Sequence, residues 1–257
     1  MILRPTNPPA QSTSGFVPGW DAILRTQKQP SDEWLLIMQA DHAALAAEMA
    51  RNIVNPNFPA MDAEIIQAIS VHDDGWKQVD NPVASSANTQ RRPLSFFEEA
   101  PADIFRAWQG SIACAIQIAP IAGILVSEHF CRIARDFSRA PNTAPEISQV
   151  LTTFVEREVA QQEELREQQS HTADEIRVLV DVLQFFDLLS LYACCGSPEN
   201  VEFPQKIKRT MFRLRRESDT CKLEPHLFSQ PSRFSFKAHK HPASAVEPVS
   251  DISILLF

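Results

Sequence analysis

The sequence predicts a mainly α-helical protein that carries a small C-terminal β-ribbon. Apolar residues recur at helical spacing through most of the stretch from residue 41 to residue 193. Two late segments, Met211-Phe-Arg-Leu-Arg215 and Arg233-Phe-Ser-Phe-Lys237, instead alternate apolar and polar residues, as half-exposed strands do. Six glycines against nineteen prolines leave few sites for tight glycine turns or phosphate-cradling loops. The 257 residues, 44% of them apolar, are enough to bury one core. They divide into a loose arm (1–18), a single domain (19–242) and a tail (243–257). Within the domain the helical core spans about 34–196 and the ribbon about 207–240.

Each element has its own signal. Residues 1–18 are rich in Pro, Ser, Thr and Asn, the composition of a loose arm. Trp34-Leu-Leu-Ile-Met38 reads as a short strand or the first turns of a helix. From Asp41, a candidate cap, a run of alanines with Leu45 and Met49 on one face predicts a helix with His42 in its first turn. Asp62 can cap a second helix that passes through Ile65, Ile66, Ala68 and Ile69 to His72 and Asp73, with Gly75 ending it. Pro82, Pro93 and Pro101 among polar residues mark a long loop over 80–101. Helical spacing resumes over 102–119 and again, after Pro120, through Phe137. A charged helix over about 146–169 follows, then an apolar one over about 172–193, before Gly196-Ser-Pro198 changes the period.

Composition excludes several classes. A net charge of −8 disfavours a nucleic-acid backbone as the main partner. No GxGxxG or GxxxxGK[ST] run appears, which removes the common nucleotide folds. The five cysteines (114, 131, 194, 195 and 221) form no CxxC pair and read as reduced core residues. No basic region leads into an apolar one at the N-terminus, and no apolar run reaches the ~20 residues of a membrane span. The expectation is a soluble, cytoplasmic protein that contacts no membrane.

The chemistry concentrates at Val71-His-Asp-Asp-Gly-Trp76. A neutral imidazole and an adjacent carboxylate suit a divalent transition metal. Asp187 lies in the apolar run Leu183-Gln-Phe-Phe-Asp-Leu-Leu-Ser-Leu-Tyr192, where an ionised carboxylate needs a cation, an arginine or several backbone donors. His42, with Gln39 and Asp41, forms a polar cluster in an apolar context. His129 sits on an apolar helix face, either as a satisfied core residue or as an outer ligand or substrate contact. Asp74 and Asp80 read as loop carboxylates, open to a role as base or supporting partner. His171, His226, His239 and His241 have weaker claims. The basic run Lys206, Lys208, Arg209, Arg213, Arg215, Arg216 is either a solvated face or a phosphate contact.

The order His42 … His72-Asp73 … Asp187 resembles the H…HD…D signature of the HD superfamily. Several segments are similar to domain of unknown function 3891: Gln39-Ala-Asp-His42, His72-Asp-Asp-Gly-Trp76 with Asp80-Asn-Pro82, Arg92-Pro-Leu-Ser-Phe96, Leu125 to His129, and Phe186-Asp-Leu-Leu-Ser-Leu-Tyr192. The resemblance covers roughly 34–242 and implies an HD-like helical bundle with His42, His72, Asp73 and Asp187 as metal ligands. HD enzymes are mostly metal-dependent phosphohydrolases, and a minority are diiron oxygenases with two further histidines before the last Asp. Here His129 is one candidate and His171 a poorer second, which favours a mononuclear site or a dinuclear one with an unusual ligand. Trp76 stands where many HD phosphohydrolases carry Lys, which keeps a non-catalytic ligand-binding module in view.

The expected function is therefore hydrolysis of a small anionic phosphate ester. The expected cofactor is a divalent transition metal (Fe, Mn, Zn or Ni), one or two per chain. Asp73 would orient the nucleophile, His129 would stabilise the phosphate or leaving group, and Asp74 would serve as base. Gln39, Trp76, Asp80 and Phe96 would contact the substrate.

Overall fold

The computed structural model describes the whole chain except residues 9, 13, 83–84, 86–91, 142, 218–219 and 244–248. Seven α-helices are described: α1 (Gly19–Gln27), α2 (Gln39–Arg51), α3 (Ala63–Val71), α4 (Pro101–Ile116), α5 (Pro120–Arg139), α6 (Pro145–Arg166) and α7 (Ala173–Cys195). A 3-10 helix, Asp74–Gln78, follows α3. Eight strands are described: β1 (Ile2–Pro5), β2 (Phe16–Pro18), β3 (Trp34–Ile37), β4 (Asn200–Ile207), β5 (Thr210–Glu217), β6 (Thr220–Glu224), β7 (Ser232–His241) and β8 (Val249–Leu256).

The strands form one mixed sheet in the order β1-β3-β7-β8-β6-β5-β4-β2. The mainly helical bundle with a small ribbon is thus corrected: about 50% of the chain is helical and 21% lies in a curled eight-stranded sheet. The correction has three physical sources. Met1-Ile-Leu3 is buried, and β1 pairs antiparallel with β3, Ile2 opposite Ile37, so the expected arm is an edge of the sheet. Phe16–Pro18 adds a parallel strand beside β4. Inside the expected tail, Ile254 and Leu256 alternate inward, and β8 pairs with β7 along its length, Val249 opposite His239 and Leu256 opposite Ser232. Strands of three to eight residues at the two ends of the chain carry too little pattern to stand out from their polar neighbours.

The helical readings fare better. Thr172 caps α7 through a reciprocal capping box with Glu175, and Gly196 closes it in the left-handed region at φ 67. Pro101, Pro120 and Pro145 stand in the first turns of α4, α5 and α6, where a missing N–H costs nothing. α7 is long and apolar enough by composition to cross a membrane, contrary to the expected absence of such a run, yet most of it is buried inside the fold. It packs on α1, α2, α3 and α5 and on β1 and β4, so helices and sheet share one core around it. The cysteines are free; all but Cys114 are buried, and burial pushes the Cys131 and Cys195 thiols up to about 12.

Candidate metal centre

Three helices deliver the site. α2 starts at Gln39 rather than after Asp41, and no side chain of its own flank caps it. Asp80 does so from 41 residues away, its Oδ2 accepting from the Gln39 N–H at 2.7 Å. That anchored first turn places His42 on the buried face of α2. Asp62 caps α3 by accepting from the Ile65 N–H at 3.0 Å, and the helix runs to Val71 with His72 as its C-cap. Gly75 does not end this helix. It lies inside the 3-10 helix that begins one residue after Asp73, and its N–H donates to Ser111 Oγ at 3.0 Å. Asp187 sits in the middle of α7 between Phe186 and Leu188, both fully buried.

These residues converge. His42 Nε2 is 2.8 Å from Asp73 Oδ2 and 4.0 Å from Asp187 Oδ1. His72 Nε2 is 3.4 Å from Asp187 Oδ1 and 3.9 Å from Asp73 Oδ2. A tetrahedral ion with ligands at ~2.1 Å separates its ligand atoms by about 3.4 Å, so the observed separations bracket that of a divalent metal. His42, His72 and Asp187 each offer a donor atom within 4.8 Å of the others, and all three are buried. Asp73 joins them through His42.

The tautomers follow from the outer hydrogen bonds. His72 Nδ1 is 2.7 Å from the Ile69 carbonyl oxygen, which only accepts, so Nδ1 carries the proton. Nε2 then turns inward, and it has no aligned partner among the described residues. Ser190 Oγ donates to the Asp187 backbone carbonyl at 2.9 Å and lies 2.9 Å from His42 Nδ1. Its one proton being spent, the hydroxyl accepts from His42 Nδ1–H, and His42 Nε2 also points inward. Outer acceptors that fix inward-facing nitrogens are the usual support of metal-binding histidines. The 2.8 Å contact between His42 Nε2 and a carboxylate oxygen requires a shared proton or a cation between them.

Electrostatics agree with the geometry. Burial by itself would lower the pKa of His72, but Asp73 and Asp187 overcome it and push it up to about 9. Burial opposes ionisation of Asp187, yet the contact and charge of His72, with His129 and His42 behind it, hold its pKa below the usual value. An anionic carboxylate in the apolar centre of α7 therefore rests on the histidines, or on a cation that replaces their protons.

His129, on α5, lies against this group, its ring centroid 5.5 Å from that of His72 and 4.8 Å from that of Phe130. Its burial pushes its pKa down to about 4, so the ring is neutral at pH 7, and Nδ1 has no partner among the described residues. Gln39 is buried one helical turn before His42, with Oε1 likewise unpartnered. Trp76 is buried and edge-to-face with Phe96, centroids 6.4 Å apart, and Phe96 packs on Phe97.

Other expected site residues are engaged elsewhere. Asp80 is not an exposed loop carboxylate: it is buried, holds the Met1 amino group at 2.8 Å and caps α2. Asp74 is half-buried and pairs with Lys77 at 2.8 Å. His171 contacts Gln169, and His241 Nδ1 contacts the Ser85 carbonyl at 3.1 Å. His226 lies in the loop after β6, its carbonyl held by Asn55, and His239 pairs with Leu36 in the sheet. In the basic run, Arg213 and Arg215 bond to Glu202 and Glu224 and both cover the Phe16 ring, so their charge is already met. Sequence reasoning missed Ser190 and Ser111, whose roles depend on helix crossings that a one-dimensional pattern does not show.

Residues 23–240 match the family described as "Protein of unknown function (DUF3891)". No curated protein and no solved structure matches the chain.

Proposed function

This chain belongs to the DUF3891 family, and on that footing we propose that it is a metal-dependent hydrolase of a small anionic phosphate ester, with an HD-type centre. One observation carries the reading: two buried histidines, their outer nitrogens committed to Ile69 and Ser190, turn Nε2 toward two buried carboxylates. His42, His72, Asp73 and Asp187 would hold one divalent transition metal, of the class Fe, Mn, Zn or Ni. Such an ion, when bound, supplies Lewis acidity to water and to a phosphoryl oxygen.

The chain's own groups supply the rest. Asp73, one residue past His72 and not enclosed in a helix interior, orients the attacking water through its carboxylate. Neutral His129 lends a nitrogen to the phosphate or its leaving group from the α5 side. Asp187, in the buried middle of α7, provides negative charge and takes no part in proton transfer. The burial of all five residues excludes bulk water and strengthens each of these interactions. Free, mostly buried cysteines fit a place in the reducing cytosol.

Turnover of p-nitrophenyl phosphate and bis-p-nitrophenyl phosphate by protein reconstituted with Mn(II), Fe(II), Zn(II) or Ni(II) tests the reading. The expected result is metal-dependent release of nitrophenolate from at least one substrate, abolished by Asp73→Ala. Release that persists in the variant, or substrate-dependent oxygen uptake in place of hydrolysis, would contradict it.

A further inference from the structure

Ser190 is a serine in an otherwise apolar stretch of α7, fully buried, and it touches both ends of the candidate centre. Its hydroxyl donates to the backbone carbonyl of Asp187, one turn earlier, at 2.9 Å. A serine in a helix interior commonly makes that back-bond. Its lone pair remains, and His42 Nδ1 lies on it at 2.9 Å from another helix. A hydroxyl with its one proton committed can only accept, so the ring must donate from Nδ1.

We propose that Ser190 is a positioning residue that selects the Nδ1–H tautomer of His42 and so presents Nε2 as the metal-binding nitrogen. The inference rests on the metal-centre reading above and adds to it. The back-bond to Asp187 makes the device specific, because the residue that turns the His42 ring is locked to the helical turn that carries the second carboxylate. α2 and α7 are thereby held in one register across the site. An apolar residue at 190 would leave His42 Nδ1 without its acceptor, and among the described residues the ring would keep Asp73 Oδ2, 2.8 Å from Nε2, as its side-chain hydrogen-bond partner. The ring's one proton would then stay beside Asp73, on the very nitrogen the metal needs.

The test uses the full-length chain in three forms: wild type, Ser190→Ala and Ser190→Thr, the last retaining the hydroxyl. Mn(II) affinity is read from the loss of the free-ion EPR signal, and the His42 tautomer from ring 15N shifts of chelator-treated protein. The expected result is a 10- to 100-fold loss of Mn(II) affinity in Ser190→Ala, loss of the His42 Nδ1–H signal while the Nε2–H beside Asp73 stays, and recovery of both affinity and signal in Ser190→Thr. Equal affinity and an unchanged His42 spectrum in Ser190→Ala would overturn the role of Ser190 while leaving the metal centre intact. Wild-type protein that binds no Mn(II), Fe(II), Zn(II) or Ni(II) would overturn the centre itself and this inference with it. Ser190→Thr that binds no better than Ser190→Ala, though folded to the same circular dichroism, would also count against the hydroxyl.

Discussion

Asp187→Asn is expected to lower metal affinity by two to three orders of magnitude while leaving the shape of the core almost unchanged. The amide keeps the carboxylate's volume but loses its charge and one of its acceptor oxygens. Structural four-ligand sites hold zinc with roughly 10–16 kcal/mol, so one ligand in four accounts for about 3 kcal/mol. The same variant has a signature that needs no metal. In chelator-treated wild type, His72 has its pKa raised from 6.5 to about 9 by its two carboxylates. The folded state then binds the extra proton between those values. Its stabilising effect is complete below pH 6.5 and is lost as pH rises through 9, about 3 kcal/mol in all. His129, pushed down from 6.5 to about 4 by burial, acts in the opposite sense, and its effect ends just above pH 6.5, at the lower edge of that window. Urea unfolding between pH 6 and 9.5 should therefore show a declining stability in metal-free wild type and a much flatter profile in Asp187→Asn. Parallel profiles would show that His72 does not depend on Asp187.

Gly75→Ala should be the most damaging small substitution in the chain. A Cβ there would lie 1.9 Å from the Ala107 carbonyl oxygen and 2.5 Å from the Ser111 nitrogen, both backbone atoms of α4. Neither is a flexible side-chain end, so α4 or the 3-10 helix must move by more than an ångström. Overpacking of this kind costs about 1–3 kcal/mol or more, and loss of the Gly75 N–H bond to Ser111 Oγ adds to it. At about 2–4 °C per kcal/mol for a chain of this size, the midpoint should fall by roughly 10 °C. Because Gly75 is two residues past Asp73, the displacement also reaches the proposed metal centre. Gly110→Ala, on the opposite side of the same crossing, is the internal control. Its Cβ would meet Gly75 Cα at 3.1 Å and Gln78 Nε2 at 3.3 Å, which a small shift relieves. Equal thermal shifts in the two variants would refute the crossing as the reason for this glycine.

The site was more legible than the fold. His72-Asp73 adjoin in sequence, and an aspartate within the apolar run of α7 is a chemical anomaly visible without coordinates, so the cluster's members could be named. Their support could not. Asp80 looks like a loop carboxylate until α2 is seen to lack its own cap, and Ser190 looks like a tolerated core hydroxyl until His42 is placed beside it. The sheet was missed for a different reason. Its strands β1, β2 and β8 come from the chain ends, and their pairing partners lie between 10 and 184 residues away. Local periodicity reports a strand's two faces but not its neighbours, so the ribbon over 207–240 gave no hint that Ile2–Pro5 would extend the same sheet.

Metal content of the purified, tag-free chain tests the central claim most directly. Elemental analysis at pH 8, after reconstitution and removal of free ions, should find one equivalent of a divalent transition metal per chain, absent from His72→Ala prepared in parallel. No retained metal in the wild type, or the same amount in both proteins, would contradict it.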